Sequence, residues 1–301
     1  MDSFACLKMK DRALVLGGGG VAGIAWMTGF LLGLCERNVD LRAADLTIGT
    51  SAGATLAAQL GSTASLDELF QRFVDPSSQD GEIEPDPRLL ESFREFRSTL
   101  PSISDPAERI RHIGKWALEN PTVPESERRA VVARRLPSHH WPEAETHIVV
   151  VDAHSGEMVI FDRNSQVDLV DAVTASCAVP GIWPPVTIHG RRFIDGGVRS
   201  AENADLAKGY ARTLILSPMG TTLPRIGGNS LNGQIDILHS SGGKTCLVSP
   251  DPKSRRAIGL NPLSLEARRP AAEAGREQGR RIVADVAAFW NADIPGKFHI
   301  S

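Results

Sequence analysis

The first sixty residues alternate short runs typical of buried strands with longer apolar segments of helical length. The pattern predicts a strand over 12–17, a helix over 23–37, a strand over 45–49 and a helix over 52–60. Parallel neighbouring strands need a crossover connection, and a helix provides one. This β-α-β-α beginning therefore predicts an α/β fold in which helices lie on the faces of a mostly parallel sheet.

The middle of the chain is more polar. Residues 75–87 are rich in proline, serine and acidic residues, which predicts an exposed loop. Residues 88–136 contain charged, helix-like stretches separated by prolines. We expect a helical insertion over about 75–145, and two interpretations of it remain open: a cap over a cleft, or a solvated decoration of the surface.

Strand-like runs return in the second half of the chain. Four further strands are predicted there, at 146–151, 158–161, 213–216 and 244–248. The second of them is expected to pair with the first. The chain then ends in a predicted helix over 269–291, whose apolar residues recur at helical spacing and indicate core packing.

A G-x-S-x-G pentapeptide joins the second predicted strand to its helix, with Gly49, Ser51 and Gly53 at the fixed positions. A strand that feeds directly into a helix must turn so sharply that the serine takes strained backbone angles, and glycine lets the neighbouring chain pass close by. The turn lifts the serine hydroxyl above the sheet, with the N-terminus of the helix aimed at it. We therefore predict that Ser51 is a nucleophile; the alternative is a glycine-rich turn with a solvated serine.

A second glycine cluster follows the first predicted strand and spells G-x-G-x-x-G at Gly18, Gly20 and Gly23. A serine nucleophile needs backbone N–H groups aimed at the developing oxyanion, and consecutive glycines supply them without obstructing side chains. The same pattern opens dinucleotide-binding folds, which also need an acidic residue about 20 residues further on. Three acidic residues lie in that window: Glu36, Asp40 and Asp45. A nucleotide-binding or regulatory module that uses this loop for phosphate therefore remains an alternative.

A third element lies in the second half of the chain. Residues 186–194 predict a short β-hairpin that turns at His189-Gly190, and Asp195, Gly196 and Gly197 follow its second strand. A carboxylate at the end of a strand, followed by two residues that permit a tight backbone, can be presented rigidly toward a cleft. The ordinary alternative is an aspartate in a turn.

These three elements, in this order, resemble the patatin-like phospholipase family, whose pattern is a glycine-rich loop, then G-x-S-x-G, then D-G-G or D-G-A. The resemblance extends over the segment 175–181 and covers most of 11–217, but it is weak over roughly 75–145. It implies a three-layer α/β sandwich whose patatin-like catalytic domain spans 11–217 and contains the helical insertion. It also implies that residues 218–301 complete the same domain.

The resemblance implies a lipid acyl hydrolase, of phospholipase A or esterase type, that works through an acyl-serine intermediate. Ser51 would be the nucleophile and Asp195 the base of a Ser-Asp dyad, while Gly19 and Gly20 would form the oxyanion hole. An aspartate of ordinary pKa is a poor base for a hydroxyl, so the site must raise its pKa. The family commonly has Arg or Lys where this chain has Ala22, which leaves the anchoring of an anionic group at that point in doubt.

An ordinary serine hydrolase would use a histidine, and the chain has eight. Of these, only His154 and His239 come near the context that a catalytic triad requires. A Ser-His-Asp esterase of small molecules therefore remains a second alternative.

Composition narrows the function classes. The chain has 301 residues, 42% of them hydrophobic, enough to bury a full α/β core. A net charge of −3 offers no electrostatic basis for binding nucleic acid. The four cysteines are widely separated, so they form no metal-binding spacing and indicate a reducing compartment. We expect no metal and no cofactor.

The start of the chain has no apolar core of signal-peptide length. Residues 13–35 carry no charge, but the glycines among them predict a strand, a loop and a buried helix rather than a membrane span. We therefore expect a cytoplasmic enzyme that acts on lipid or acyl-ester substrates and contacts membranes peripherally.

Overall fold

The computed structural model describes residues 10–75, 81–220, 227–228 and 230–292. The strands are β1 Lys10–Leu16, β2 Leu46–Thr50, β3 Thr146–Asp152, β4 Met158–Phe161, β5 Val186–Ile188, β6 Arg191–Asp195, β7 Tyr210–Leu216 and β8 Lys244–Val248. The α-helices are α1 Gly20–Cys35, α2 Ala52–Leu60, α3 Leu66–Val74, α4 Pro87–Thr99, α5 Pro106–Glu119, α6 Glu125–Arg135, α7 Leu169–Ser176, α8 Leu231–Ser240, α9 Pro252–Ile258, α10 Arg268–Arg281 and α11 Val283–Trp290. The predicted β-α-β-α beginning is confirmed.

All eight strands of the described residues belong to one mixed sheet, whose hydrogen-bonded pairs follow the path β5-β6-β3-β2-β1-β7-β8. Strand β4 pairs with one edge of β3, and β2 and β6 pair with successive parts of the other edge. The five neighbours from β3 to β8 run parallel. The hairpin β5–β6 and strand β4 run antiparallel to their partners. The prediction of a mostly parallel sheet is confirmed, as is the hairpin turn at His189-Gly190, where both residues have positive φ.

Helices cover both faces of the sheet because side chains alternate along each strand. In β1, Leu14 and Leu16 join a core with α1, α2 and α10, whereas Ala13 and Val15 face a second core that includes α8. With apolar side chains buried on both sides, the central strands read as continuous apolar runs.

The C-terminal part of the chain joins the same sheet and core. Strand β8 pairs with β7, and α10 lies directly against α1. The contact is close: a side chain at Gly29 or Gly33 would collide with the backbone of α10, and one at Gly275 would collide with that of α1. Glycine therefore lets the two helix backbones approach each other.

The prediction of a single helix over 269–291 is wrong. The segment forms two helices separated at Ile282, whose ψ of 14° departs from helical geometry. After this break, α11 buries Val286 and Trp290 in the core shared with α1. The apolar spacing along the segment correctly predicted which residues are buried, but it did not predict the break between the two helices.

The uncharged run over 13–35 consists of the end of β1, a glycine loop and α1, as predicted. The helix begins at Gly20, three residues earlier than expected, because the Gly23 amide already donates to the Gly19 carbonyl. Among the described residues, none of the helices has both the length and the apolar character that crossing a bilayer requires.

Candidate active site

Ser51 lies at the turn between β2 and α2 and is 9% exposed. Its φ of 54° and ψ of −114° fall in a region that L-residues rarely adopt. A methyl group added at Gly49 would lie 2.6 Å from the Cα of Ala54, and one at Gly53 would collide with the carbonyl oxygen of Leu16. The strained turn predicted from the pentapeptide is present, and close packing excludes a side chain at either glycine.

Two residues of the segment 175–181 hold the backbone of this turn. The Ser51 amide donates to Ser176 Oγ at 2.9 Å, and that hydroxyl donates in turn to the carbonyl oxygen of Val149 at 2.7 Å. The Cys177 thiol donates to the Ser51 carbonyl oxygen at 3.2 Å. Sequence reasoning assigned these two residues no function; their only signal was the family resemblance of their segment.

Asp195 ends strand β6 and is 5% exposed. Its Oδ1 accepts a hydrogen bond from the Gly197 amide at 2.7 Å. Burial raises the pKa of Asp195 to about 7, although the nearby Ser51 side chain and the Gly197 amide act to lower it. A carboxylate with a pKa near neutrality is a far stronger base than an exposed aspartate, and about half of it is still ionised at neutral pH.

The sheet register explains why Ser51 and Asp195 meet. Thr50, the last residue of β2, lies opposite Val149, and Asp195 lies opposite the next residue of β3, Val150. Since β4 occupies the other edge of β3 at both positions, β2 and β6 must share one edge. One runs parallel to β3 and the other antiparallel, so their carboxyl ends point at each other.

Asn203 ties the two ends together. Its Nδ2 donates to Thr50 Oγ1 at 3.1 Å, to the Ser200 carbonyl oxygen at 2.7 Å and to the Gly196 carbonyl oxygen at 3.3 Å. Its Oδ1 accepts a hydrogen bond from Arg199 at 2.6 Å. Asn203 is fully buried, and its backbone adopts the left-handed conformation, with a φ of 52°. No local sequence pattern marks this residue, so sequence reasoning missed it.

The glycine loop lies beside Ser51. A methyl group at Gly18 would be 3.5 Å from the Cβ of Ser51, and Gly19 and Gly20 line the same cleft as the serine. The Gly17 and Gly18 amides donate to backbone carbonyls of neighbouring segments. The Gly19 and Gly20 amides donate to no other residue of the described ranges. Two N–H groups are thus available next to the serine, as an oxyanion hole requires.

The start of α1 is closed by a loop from the C-terminal part of the chain. The Ala22 amide donates to the Pro262 carbonyl oxygen at 3.0 Å, and a methyl group at Gly20 would lie 2.5 Å from the same oxygen. Ala22 is fully buried. The position at which the family commonly has Arg or Lys therefore offers no cation here.

The three acidic residues that the nucleotide-binding alternative would use to hold a ribose hydroxyl make other contacts. Glu36 pairs with two arginines of α10, Asp40 pairs with Arg42, and Asp45 accepts a hydrogen bond from the Arg12 amide. With the start of α1 closed as well, these contacts offer no support for the nucleotide-binding alternative.

Ser51 and Asp195 line a cleft with a volume of about 250 Å³. Most of its other walls are apolar. Four lining residues come from the helical insertion: Phe93, Arg97, Leu100 and Ile113. Helices α4 and α5 therefore cover part of the cleft, which favours the cap interpretation over a remote decoration.

No histidine is among the described residues that line this cleft. The side chains of His154 and His239 are exposed, and His239 Nε2 contacts Thr245 Oγ1 at 2.9 Å. The structure thus does not bring either histidine to Ser51. Within the described ranges, no three His, Cys, Asp or Glu side chains are grouped so that they could hold a metal ion.

The chain is similar to a known protein family and to several solved structures. The family model described as Patatin-like phospholipase matches residues 14–208, a range that includes all three motifs. Among solved structures, VipD from Legionella pneumophila is 13% identical with a TM-score of 0.41, over 92% of this chain and 67% of that one. The type III effector protein ExoU is 15% identical with a TM-score of 0.42, over 92% of this chain and 53% of that one. The chain thus spans about half to two thirds of the length of these proteins.

Proposed function

Because the chain belongs to the patatin-like phospholipase family of lipid hydrolases, we propose that it cleaves carboxylic esters of lipids through an acyl-serine intermediate. The observation that carries this proposal is the pair formed by Ser51, on its strained turn, and the buried Asp195, whose pKa is about 7. Both groups line a cleft that is largely apolar.

In the acylation step, the ionised Asp195 accepts the hydroxyl proton of Ser51 as Oγ attacks the ester carbonyl carbon. The carbonyl oxygen becomes an oxyanion, which accepts hydrogen bonds from the Gly19 and Gly20 amides. The neutral Asp195 then gives its proton to the departing alcohol oxygen as the ester bond breaks. The acyl group remains on Ser51.

In the deacylation step, a water molecule attacks the acyl-serine carbonyl carbon. Asp195 accepts a proton from that water and returns it to Ser51 Oγ when the bond between serine and acyl group breaks. Since the same carboxyl group alternates between ionised and neutral forms, a pKa near the working pH serves both directions of transfer. No histidine is required in this scheme.

We place the acyl chain in the apolar cleft and expect the protein to meet lipid surfaces peripherally, through an apolar rim that includes part of 75–145. Leu260, just before the cleft-lining Pro262 and Leu263, is fully exposed and extends this rim. Because a net charge of −3 offers little attraction to anionic lipids, binding should depend only weakly on salt. Co-sedimentation with liposomes at low and high ionic strength measures this; binding that collapses at high salt would contradict an apolar contact.

Covalent labelling tests the nucleophile. A fluorophosphonate probe should add one adduct, located on Ser51 by intact mass and peptide mapping, and Ser51→Ala should abolish both labelling and hydrolysis of a p-nitrophenyl ester. Removing the nucleophile of a covalent enzyme lowers turnover by several orders of magnitude. Ser98→Ala, on the exposed face of α4, is the matched control and should label like the wild type. An adduct at another residue, or equal labelling of Ser51→Ala, would overturn the proposal.

A further inference from the structure

The last residue of α7 and the two residues after it contact the backbone of both Ser51 and Asp195. Ser176 Oγ accepts a hydrogen bond from the Ser51 amide at 2.9 Å, and the Cys177 thiol donates to the Ser51 carbonyl oxygen at 3.2 Å. The Asp195 amide donates to the Ala178 carbonyl oxygen at 3.0 Å. We term residues 176–178 the bridging segment, because three consecutive residues connect the nucleophile to the base.

The bridging segment is fixed in the core. Its amides continue the hydrogen bonds of α7: Cys177 donates to the Val173 carbonyl oxygen at 3.0 Å, and Ala178 donates to that of Ala175 at 3.1 Å. Ser176 and its two successors are all buried. Close-packed interior segments with paired backbone groups move little, so this one provides a fixed reference for both catalytic residues.

The hydroxyl of Ser176 also reaches β3. It donates to the Val149 carbonyl oxygen at 2.7 Å, and a methyl group added at Gly196 would collide with that same oxygen. Gly196 directly follows Asp195 in the chain. The hydroxyl therefore joins the Ser51 amide to the strand on which the end of β6 rests, and it acts as donor and acceptor at once.

Packing leaves the Ser51 turn incompletely supported. A small cavity of about 20 Å³ lies beside it, and its lining includes Ser51, Ala52, Cys177 and Arg128. Atoms that line a void lack contacts on that side. The turn is also strained, so we expect it to shift toward ordinary backbone angles if its hydrogen bonds are removed.

Proton transfer between Ser51 and Asp195 requires hydrogen-bond distance, and misplacing reacting groups by about 1 Å costs about 10²-fold in rate. We propose that Ser176 is a positioning residue of the reaction: its hydroxyl, supported by Cys177 and Ala178, sets the distance between the Ser51 hydroxyl and the Asp195 carboxyl group. It acts through the backbone of Ser51. This inference rests on the proposed function, because it requires Ser51 and Asp195 to be the reacting pair.

Kinetics of Ser176→Ala test the proposal. With the hydroxyl removed, kcat for a soluble p-nitrophenyl ester should fall about 10²-fold, while KM changes less than about threefold because the apolar walls of the cleft are intact. Ser176→Cys keeps a weaker donor and acceptor at the same place and should recover part of the loss. Cys177→Ala removes one weak hydrogen bond to Ser51 and should lower kcat about three- to tenfold.

The matched control is Thr174→Val, on the same helix. Thr174 is 1% exposed, and its hydroxyl donates to the Val170 carbonyl oxygen at 2.6 Å, within α7 itself. The substitution also removes a buried hydroxyl but leaves the contacts of Ser51 in place, so kcat should stay within about twofold. Equal losses in Thr174→Val and Ser176→Ala would indicate a general loosening of α7 and contradict the proposal.

Thermal melting followed by circular dichroism identifies variants that do not fold. If Ser176→Ala is one of them, Ser176→Cys and Cys177→Ala decide the question. An undiminished kcat in both of these folded variants would overturn the proposal.

The pH profile separates misplacement of Ser51 from opening of the site. Burial raises the pKa of Asp195 to about 7, whereas the Ser51 side chain lowers it. If Ser51 alone moves away in Ser176→Ala, the carboxyl group stays buried and loses a stabilising neighbour, so the midpoint of activity should lie at or above pH 7. A midpoint displaced toward 3.8 would mean that water has entered, against the proposal. Burial raises the pKa of the neighbouring Cys177 thiol, which is therefore uncharged at neutral pH.

A double-mutant cycle tests whether Ser176 acts through the base. Slow labelling of Ser51 by a fluorophosphonate in Asp195→Asn provides the reference. Adding Ser176→Ala to Asp195→Asn should slow labelling less than about threefold further, against about 10²-fold when it is added to the wild type, because the interaction that Ser176 adjusts is already lost. The same 10²-fold loss in both backgrounds would show that Ser176 acts independently of Asp195.

The wild type distinguishes failure of this inference from failure of the proposed function. If the wild type neither hydrolyses esters nor labels at Ser51, the proposed function fails and the inference fails with it. If the wild type hydrolyses esters and labels at Ser51 but folded Ser176→Ala does both at the same rate, the inference alone is wrong.

Discussion

The catalytic floor, formed by the glycine loop, the Ser51 turn and Asp195, is built differently from the helical insertion, α4 to α6. The floor is buried and held by backbone hydrogen bonds and close glycine contacts. In the insertion, α4 has no buried residue, and what the insertion offers the cavities is side chains such as Phe93 and Arg128. The difference indicates that the floor determines whether any ester reacts, whereas the insertion determines which ester is preferred.

The largest effect on the floor, after loss of the nucleophile, should come from Asp195→Asn. Removing a general base costs about 10²–10⁴-fold in rate, so acylation should nearly cease on every substrate. The wild type should also lose activity below pH 7, about tenfold per unit, because protonation inactivates a base whose pKa is about 7. Stopped-flow acylation with a soluble ester measures both. Full activity in Asp195→Asn would contradict the dyad.

The same pKa provides a folding control. Burial raises the pKa of Asp195 from 3.8 to about 7, so its contribution to stability is fully present below pH 4 and is lost as pH rises through 7. Asparagine carries no charge to bury. Asp195→Asn should therefore melt no lower than the wild type at pH 8, as followed by circular dichroism, and an inactive variant that melts much lower would have lost its fold instead of its base.

A smaller effect is expected at the oxyanion loop. A methyl group at Gly19 would lie 2.5 Å from the Cβ of Pro218, so Gly19→Ala should displace the loop and its N–H groups. Losing oxyanion donors costs about 3 kcal/mol, or 10²-fold or more in kcat, with KM affected less. Gly18→Ala is the matched control, because its methyl group meets nothing closer than 3.5 Å and its amide already donates to the Ala201 carbonyl. Unchanged turnover in Gly19→Ala would indicate that the loop serves another ligand.

Substitution in the insertion should change selectivity more than chemistry. Phe93→Ala removes an aromatic wall of the cleft, so the preference for long over short acyl esters should fall by about three- to tenfold. Turnover of a short p-nitrophenyl ester should change less than about threefold, because the floor is untouched. Glu95→Ala, on the exposed side of the same helix, should behave like the wild type. Equal losses on long and short esters would remove the distinction between the two regions.

The smallest effects are expected at the histidines. His154→Gln and His239→Gln should each retain at least about a tenth of the activity, because both side chains are exposed and neither lines the cleft. The pH profile cannot replace this test, since a histidine base would titrate in the same range. A loss comparable to that of Asp195→Asn in either variant would favour a Ser-His-Asp arrangement.

The local features of the floor follow from the sequence itself. A buried strand, G-x-S-x-G and a helix lie within a few turns of chain, and such a short connection compels the serine to take the φ of 54° that is observed. The hairpin turn at His189-Gly190 is equally local, with φ values of 49° and 75°. Where neighbouring residues alone determine the backbone geometry, the sequence was sufficient to predict it.

The meeting of Ser51 and Asp195, in contrast, depends on contacts between segments that are distant in sequence. Asp195 meets Ser51 only because β2 and β6 occupy the same edge of β3, and no window of sequence specifies strand order. Asn203 hydrogen-bonds to Thr50 and to Gly196, and Arg128 lines a small cavity together with Ser51. Neither residue belongs to a motif. Local periodicity reports which residues are buried, but which buried residues become neighbours is decided by the packing of the whole chain. The tertiary structure alone therefore raised the pKa of Asp195 and placed an arginine in the same cavity as the nucleophile.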